Sequence, residues 1–301
     1  MKTAIVTDSN SGISQNEAGR LGAFVLPMPV IIEGHTYYEG IDLMPDQFFH
    51  ALAQHQAVST SQPSPGDVTA LWDRVLTEYD ELVYIPMSSG LSSSCATAAI
   101  LAKEYAGRVF VADNHRISVT QKASVLDALA LCEAGACAWE IQQELESSAY
   151  DSIIYVGVET LEYLRRGGRV TPKAAAISTV LQIKPLLKIE GEWLDAYAKV
   201  RGTANCKKRL LEAMQEAVEK YGEKWDLDIG IASSYQDIEA AENWRETAAD
   251  KFSQYPICSS PLTFSIGSHV GPDAFGMAVS RRLARTKGEI QNESSHGAND
   301  S

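Results

Sequence analysis

Two kinds of hydrophobic spacing alternate along the first half of the chain. Residues 3–7 (TAIVT), 82–85 (LVYI) and 108–112 (RVFVA) are short, nearly unbroken apolar runs. Each gives way to a polar turn: Asp8-Ser9-Asn10-Ser11-Gly12 after the first, a serine-rich stretch after Pro86, and Asp113-Asn114 after the third. Between them apolar residues recur at helical spacing, as in Phe48, Phe49, Leu52 and Ala53, and again in Val68, Leu71, Trp72 and Val75. Unbroken apolar runs are those of strands buried on both faces, and intervening helices are what cover them. The pattern predicts a parallel, Rossmann-like sheet with helices on both sides, and further helices over residues 118–133 and 138–148. Residues 24–32 form another extended run, but Pro27 and Pro29 interrupt it and confine it to an edge or bulged position.

The second half reads differently. Residues 152–158 (SIIYVGV) predict a strand, 159–166 a short helix stopped by Gly167-Gly168, and 186–200 a hairpin turning at Glu190-Gly191. A long amphipathic helix over 204–221, a strand over 228–234 and a helix over 238–252 follow. Residues 257–264 and 274–278 predict strands on either side of a glycine-rich turn, His269-Val270-Gly271-Pro272. A hairpin inside an αβ series indicates an α+β unit with a mixed sheet. The expected organisation is a two-domain α/β protein: residues 1–153, residues 154–285, and a polar, aperiodic tail over 286–301 expected to be disordered.

Composition narrows the function. The chain has 301 residues, 45% of them hydrophobic, which is enough for sizeable cores. Its net charge of −13, from 39 acids against 26 bases, disfavours nucleic acid and allows transient membrane contact at most. No apolar run reaches membrane-spanning length, and the start lacks a signal-peptide h-region. Five scattered cysteines without a C-x-x-C pair argue against a disulfide framework or structural zinc, so a cytoplasmic location is expected. The histidines show no H-x-x-x-H spacing, and no metal or cofactor is expected.

Four stretches carry candidate chemistry. In residues 85–99 (IPMSSGLSSSCATAA) five serines, Ser88, Ser89, Ser92, Ser93 and Ser94, sit where a strand passes into a helix. They read as helix capping or as an anion-binding loop of amides and hydroxyls. The G-x-S-x-G spacing of a nucleophile elbow is absent, and no P-loop lysine follows. Thr60-Ser61-Gln62-Pro63 adds hydroxyls on a loop stiffened by proline, with a plain linker as the alternative. Arg165, Arg166 and Arg169 surround Gly167-Gly168, as a helix C-cap or as an anion site. His269 lies among glycines that admit a ligand close to the backbone. Asp8, at a strand end, is expected to pin a neighbouring loop by accepting its amides.

In this order the segments IVTDS (5–9), TSQP (60–63), SSGLS (88–92), ETLEYL (159–164) running into GGR (167–169), IKPLL (183–187) and HVGP (269–272) resemble the DegV family. These are bacterial fatty-acid-binding proteins that serve as binding subunits of fatty acid kinase. The resemblance spans residues 3–280. It implies a long-chain fatty acid buried in a tunnel between two domains, with no turnover by the protein itself. Its carboxylate would be held by Thr60 or Ser61, by Ser89 or Ser92, and near His269. Arg169 would support phosphoryl transfer by a partner ATP-dependent kinase. Three departures stand out. Ser93-Ser94 replaces the usual Gly-Thr, and Asp273 replaces the glycine that usually follows H-x-G-P. The usually Ser- and Gly-rich segment after Asp113 reads NHRISVTQKA.

The chemistry is consistent with that implication. Burying about 15 methylene-like carbons gains roughly 12 kcal/mol gross, before the costs of association. A buried carboxylate needs donors, and hydroxyls with a histidine supply them. An imidazole beside a carboxylate is expected to have a raised pKa. The rival reading is a serine hydrolase using Ser92 or Ser89 with His269 and Asp8 on an acyl ester. A weaker one is a phosphate-ligand binder using Arg165, Arg166 and Arg169.

Overall fold

The computed structural model describes residues 1–169, 171 and 183–283; the tail expected over 286–301 lies outside them. Strand β1 (Thr3–Asp8) leads through helix α1 (Gln15–Leu21) to β2 (Ala23–Leu26), then β3 (Pro29–Ile32), β4 (His35–Tyr38), α2 (Pro45–Ala53) and β5 (Val58–Thr60). Next come α3 (Pro65–Val75), β6 (Glu81–Ile85), α4 (Ser94–Leu101), β7 (Val109–Val111), α5 (Val119–Glu133) and α6 (Ala138–Ser147). The second half comprises β8 (Ser152–Gly157), α7 (Glu162–Gly167), β9 (Ile183–Glu190), β10 (Trp193–Arg201), α8 (Thr203–Gly222), β11 (Leu227–Ser233), α9 (Ile238–Lys251), β12 (Ile257–Pro261), α10 (Phe264–Val270) and β13 (Phe275–Arg281).

The first sheet is parallel, in the order β2-β1-β6-β7. Its apolar strands are buried on both faces. Ile5, Val83 and Ile85 pack toward Val125, Ala128, Ile141 and Leu145 of α5 and α6. Ala4, Val6, Leu82 and Tyr84 pack on the other side with Val68, Leu71, Trp72 and Val75, the predicted face of α3. The second sheet is mixed, in the order β10-β9-β8-β13-β11-β12, with β11–β12 parallel and the other pairs antiparallel. The amphipathic α8 and α9 cover one face of it, burying Leu210, Met214 and Trp244 against Ile229, Phe275 and Met277.

Three local expectations need correction. Residues 24–32 are not one strand. Pro27 and Pro29 lack ladder donors, and the chain leaves the parallel sheet after Leu26 to start β3 in a separate three-stranded antiparallel sheet, β4-β3-β5. Thr60, read as loop, ends the edge strand β5 of that sheet. His269 does not sit in a turn. The strand expected over 257–264 stops at Pro261, Thr263 takes the N-cap position of α10 without a capping side-chain hydrogen bond, and His269 lies in its last turn before Gly271 at φ 80°.

Candidate functional site

The polar loops after β1 and β6 meet where parallel strands end. Asp8 organises them. Its carboxylate accepts the Met87 N–H at 2.8 Å, the Asn10 N–H at 2.9 Å and the Gln121 side-chain amide at 3.2 Å. Ser9 Oγ accepts the Met28 N–H at 3.0 Å. Burial pushes Asp8 up to about 6, against the pull of those donors, so it is ionised at neutral pH. The loop thereby fixes Met28 and Met87, which both line a cavity of about 960 Å³.

This cavity lies between the loops that follow the parallel strands and the mixed sheet. One wall is Met28, Met87, Leu91 and Ile117; facing it are Ile154, Ile189 and Ile266. The polar side chains of the lining include Thr60, Ser61, Gln62, Ser92, Arg169 and His269. Thr60 Oγ1 and His269 Nε2 are 2.9 Å apart, joining β5 to α10 across 209 residues of sequence. Gln62 is held by the Thr97 hydroxyl at 3.1 Å. Ser92 turns its hydroxyl to accept the Ser94 N–H at 3.1 Å, inside the start of α4. Arg169 donates to the Gly167 carbonyl at 2.6 Å. It also lines an adjoining, more polar cavity of about 580 Å³, together with Thr60, Tyr163, Arg166, Ser268 and His269.

Of the residues singled out in the sequence, Thr60, Ser61, Ser92, Arg169 and His269 share one cavity. Ser89 is not among its described lining. Its N–H donates to Asp113 at 3.3 Å, and its hydroxyl lies 3.5 Å from His115 Nδ1. Arg166 is ion-paired with Glu162 in the same helix, which weakens the phosphate-ligand reading. Asp273 does not line the cavity either; it stands near Glu159 and Asp237, whose charges add to burial in raising its pKa.

The imidazole differs from expectation. A carboxylate neighbour would raise its pKa, but the protein's own surroundings push His269 down to about 4, through burial first and the Arg169 charge second. At neutral pH it is an uncharged ring. Its Nδ1 is buried without a hydrogen-bond partner among the described residues. The relay a hydrolase needs is not assembled. Among the described residues no hydrogen bond joins Ser89 or Ser92 to His269, whose Nε2 is engaged by Thr60, and Asp8 is committed to loop amides. No group of three His, Cys, Asp or Glu among the described residues could hold a metal ion.

Gln121 escaped the sequence reading. Its amide donates to Thr7 Oγ1 at 3.1 Å, Asp8 Oδ1 at 3.2 Å and the Ile85 carbonyl at 3.1 Å, stapling α5 to the carboxyl ends of β1 and β6. A single polar residue inside a helical run gives no sign of such a partner.

A two-sheet α/β scaffold that lines an apolar chamber with a few hydroxyls and a neutral imidazole offers the kind of site that fits a largely apolar ligand with a polar end. The chain belongs to the DegV family, whose model matches residues 2–282. A DegV domain-containing protein of Deinococcus radiodurans is 31% identical over 93% of this chain and 98% of its own length. Among solved structures, a DegV family protein from Thermus thermophilus, described by its fatty acid binding, shares 30% identity at a TM-score of 0.83, over 93% of this chain and all of that one. DegV of Bacillus subtilis, described as a fatty acid binding protein, shares 26% identity at a TM-score of 0.81, over 93% of this chain and 99% of its own.

Proposed function

We propose that the protein holds one long-chain fatty acid and presents its carboxylate to a partner ATP-dependent fatty acid kinase, with no turnover of its own. The tail occupies the 960 Å³ cavity between two domains that divide near residue 153. The carboxylate is held by Thr60, Ser61, Ser92 and His269, with Ser89 outside the grip. The observation that carries this reading is an apolar chamber whose lining also includes the hydrogen-bonded Thr60–His269 pair. Burying the tail supplies roughly 12 kcal/mol gross, much of it consumed by association and ordering. Neutral donors satisfy the carboxylate without a fixed ion pair, so the group stays available for phosphorylation. Arg169 borders both the chamber and the adjoining polar cavity, a position suited to supporting phosphoryl transfer. The Thermus and Bacillus relatives, both described as binding fatty acids, support the ligand class.

Native mass spectrometry of the protein purified from cells tests this directly. A bound mass matching a fatty acid is expected, together with no labelling of Ser89 or Ser92 by a fluorophosphonate probe. A folded, empty protein that also ignores added fatty acids would refute the proposal, and stoichiometric labelling of either serine would favour the hydrolase.

A further inference from the structure

On the sheet face turned toward α5, β11 and β13 set Ala232 opposite Gly276, then Gly230 opposite Ala278, then Asp228 opposite Ser280. Residues two apart on a strand share a face, so these pairs form one continuous floor. Ala232 and Gly276 belong to the large cavity; Gly230, Ala278, Asp228 and Ser280 belong to a second, much smaller cavity. Val119, the first residue of α5, is the one described residue that lines both.

Its side chain is buried and packs with Ala232 and Ala278. At Gly230 an added Cβ would come within 2.4 Å of Val119 Cγ2, so the isopropyl group rests directly on the glycine. The backbone holds it there. Ser118 adopts the left-handed φ of 56°, its N–H donates to the Asn10 carbonyl at 3.0 Å, and its own carbonyl accepts the Lys122 N–H at 2.9 Å.

We infer that Val119 sets the length of acyl chain the protein accepts, by closing the large cavity against the second one. This rests on the fatty-acid reading above. Trimming Val119 joins the two spaces and admits longer tails. Each methylene newly taken from water is worth about fourfold in affinity, so two of them shift the preference roughly tenfold after ordering costs. The extension is short, because the second cavity is small and Asp228, paired with Arg282 at 2.8 Å, and Ser280 stand in its lining.

The test loads the delipidated full chain with an equimolar mixture of saturated fatty acids of graded length and reads the bound species by native mass spectrometry. Thermal unfolding is followed alongside for wild type, Val119→Ala and Val119→Thr. Val119→Ala is expected to favour acids longer by two or more methylenes, roughly tenfold, while Val119→Thr, of the same volume, keeps the wild-type distribution. An unchanged distribution in folded Val119→Ala overturns the gate, and an equal shift in Val119→Thr overturns the role of volume. If Val119→Ala does not fold, Val119→Ile carries the test with the opposite sign, and an unchanged preference there is equally fatal. A folded wild type that takes up none of the acids brings down the fatty-acid reading itself, a result distinct from a wild type that binds while its variants fail to shift.

Discussion

Replacing Gly167 by alanine probes the seating of His269 through the sign of its effect. Gly167 is the last residue of α7, and alanine there would ordinarily gain about 0.5–1 kcal/mol by restricting the unfolded chain. Here a Cβ would stand 2.1 Å from His269 Nδ1 and 2.8 Å from Cε1. The obstacle is a buried ring fastened to Thr60 at 2.9 Å, not the free end of a flexible side chain. Relieving the overlap costs about 1–3 kcal/mol in packing, and losing the Thr60 contact adds about 1 kcal/mol. The net is a loss of roughly 1–3 kcal/mol, or several degrees in Tm at about 2 °C per kcal/mol for a chain of this size. Gly19→Ala, inside α1 with nothing within 4 Å of the new methyl, is the matched control and gains up to about 1 kcal/mol. Thermal unfolding gives both signs, and titration with a fatty acid is expected to show roughly tenfold weaker binding for Gly167→Ala alone, as a displacement worth about 1.4 kcal/mol implies. Should Gly167→Ala prove as stable as Gly19→Ala, with unchanged affinity, the tight seating of His269 is wrong.

Three further changes test the electrostatics. His269 has a folded pKa of about 4 against an ordinary 6.5, so its contribution is complete above pH 6.5 and drains away as pH falls toward 4. The stability advantage of wild type over His269→Gln is therefore expected to shrink by about 2 kcal/mol between pH 7 and pH 5, and parallel urea-denaturation results at the two pH values would contradict this. Glu39, pushed up to about 7 by burial, accepts the Phe264 N–H at 2.9 Å; its contribution is complete below pH 4.5 and is lost as pH rises through 7. Glu39→Gln keeps the acceptor without the charge, so it is expected to exceed wild type by about 3 kcal/mol at pH 8 and to match it near pH 4, with equal denaturation midpoints at pH 8 counting against the idea. Asp273 stands at φ 57°, where the family pattern has glycine, and its carboxyl is raised by burial, Glu159 and Asp237. Asp273→Gly should gain about 0.5–1 kcal/mol at neutral pH and less in acid, and a loss of Tm at pH 7 would show that the left-handed backbone carries no strain.

The parallel sheet was legible because its strands are continuous apolar runs and α3 carries its buried face at helical spacing. The mixed sheet was legible from the Glu190-Gly191 hairpin and the length of α8. The small sheet was not. Residues 35–38 (HTYY) and 58–60 (VST) are short, half-exposed strands with no alternation, and only pairing with β3 defines them. The same applies at the site. Hydroxyl-rich loops advertise themselves by composition, so Thr60, Ser61 and Ser92 could be singled out. Whether a given serine faces the cavity depends on tertiary neighbours. Ser89 turns to His115 and Asp113, and Gly90 backs onto Glu192, where a Cβ would meet that residue's Cβ at 2.3 Å. The state of His269 was unreadable for a related reason: its pKa follows from burial and from Arg169, a hundred residues away in sequence.

That distance explains how the Thr60–His269 end of the cavity is held together. Thr60 ends a three-residue edge strand, too short to fix a hydroxyl by itself. Its position is set by β3 and by the docking of the small sheet onto α10. Phe48 of α2 stacks on Phe264 at 4.5 Å between ring centroids, and Glu39 holds the first N–H of the same helix. At the other end of α10, Gly271 lies against Tyr163, and Gly167 lies against His269 itself. The helix is clamped from both sides, and the aromatic contact helps to seat the end that brings His269 to Thr60. Phe264→Ala removes that contact without touching the Thr60 or His269 side chains. It is expected to cost about 3–5 kcal/mol of stability as a buried aromatic truncation. It should also weaken fatty acid binding more than an equally destabilising truncation in the α8 core, such as Met214→Ala, which lies on the far face of the mixed sheet. Equal losses of affinity for equal losses of stability would mean that the grip does not depend on how α10 is seated.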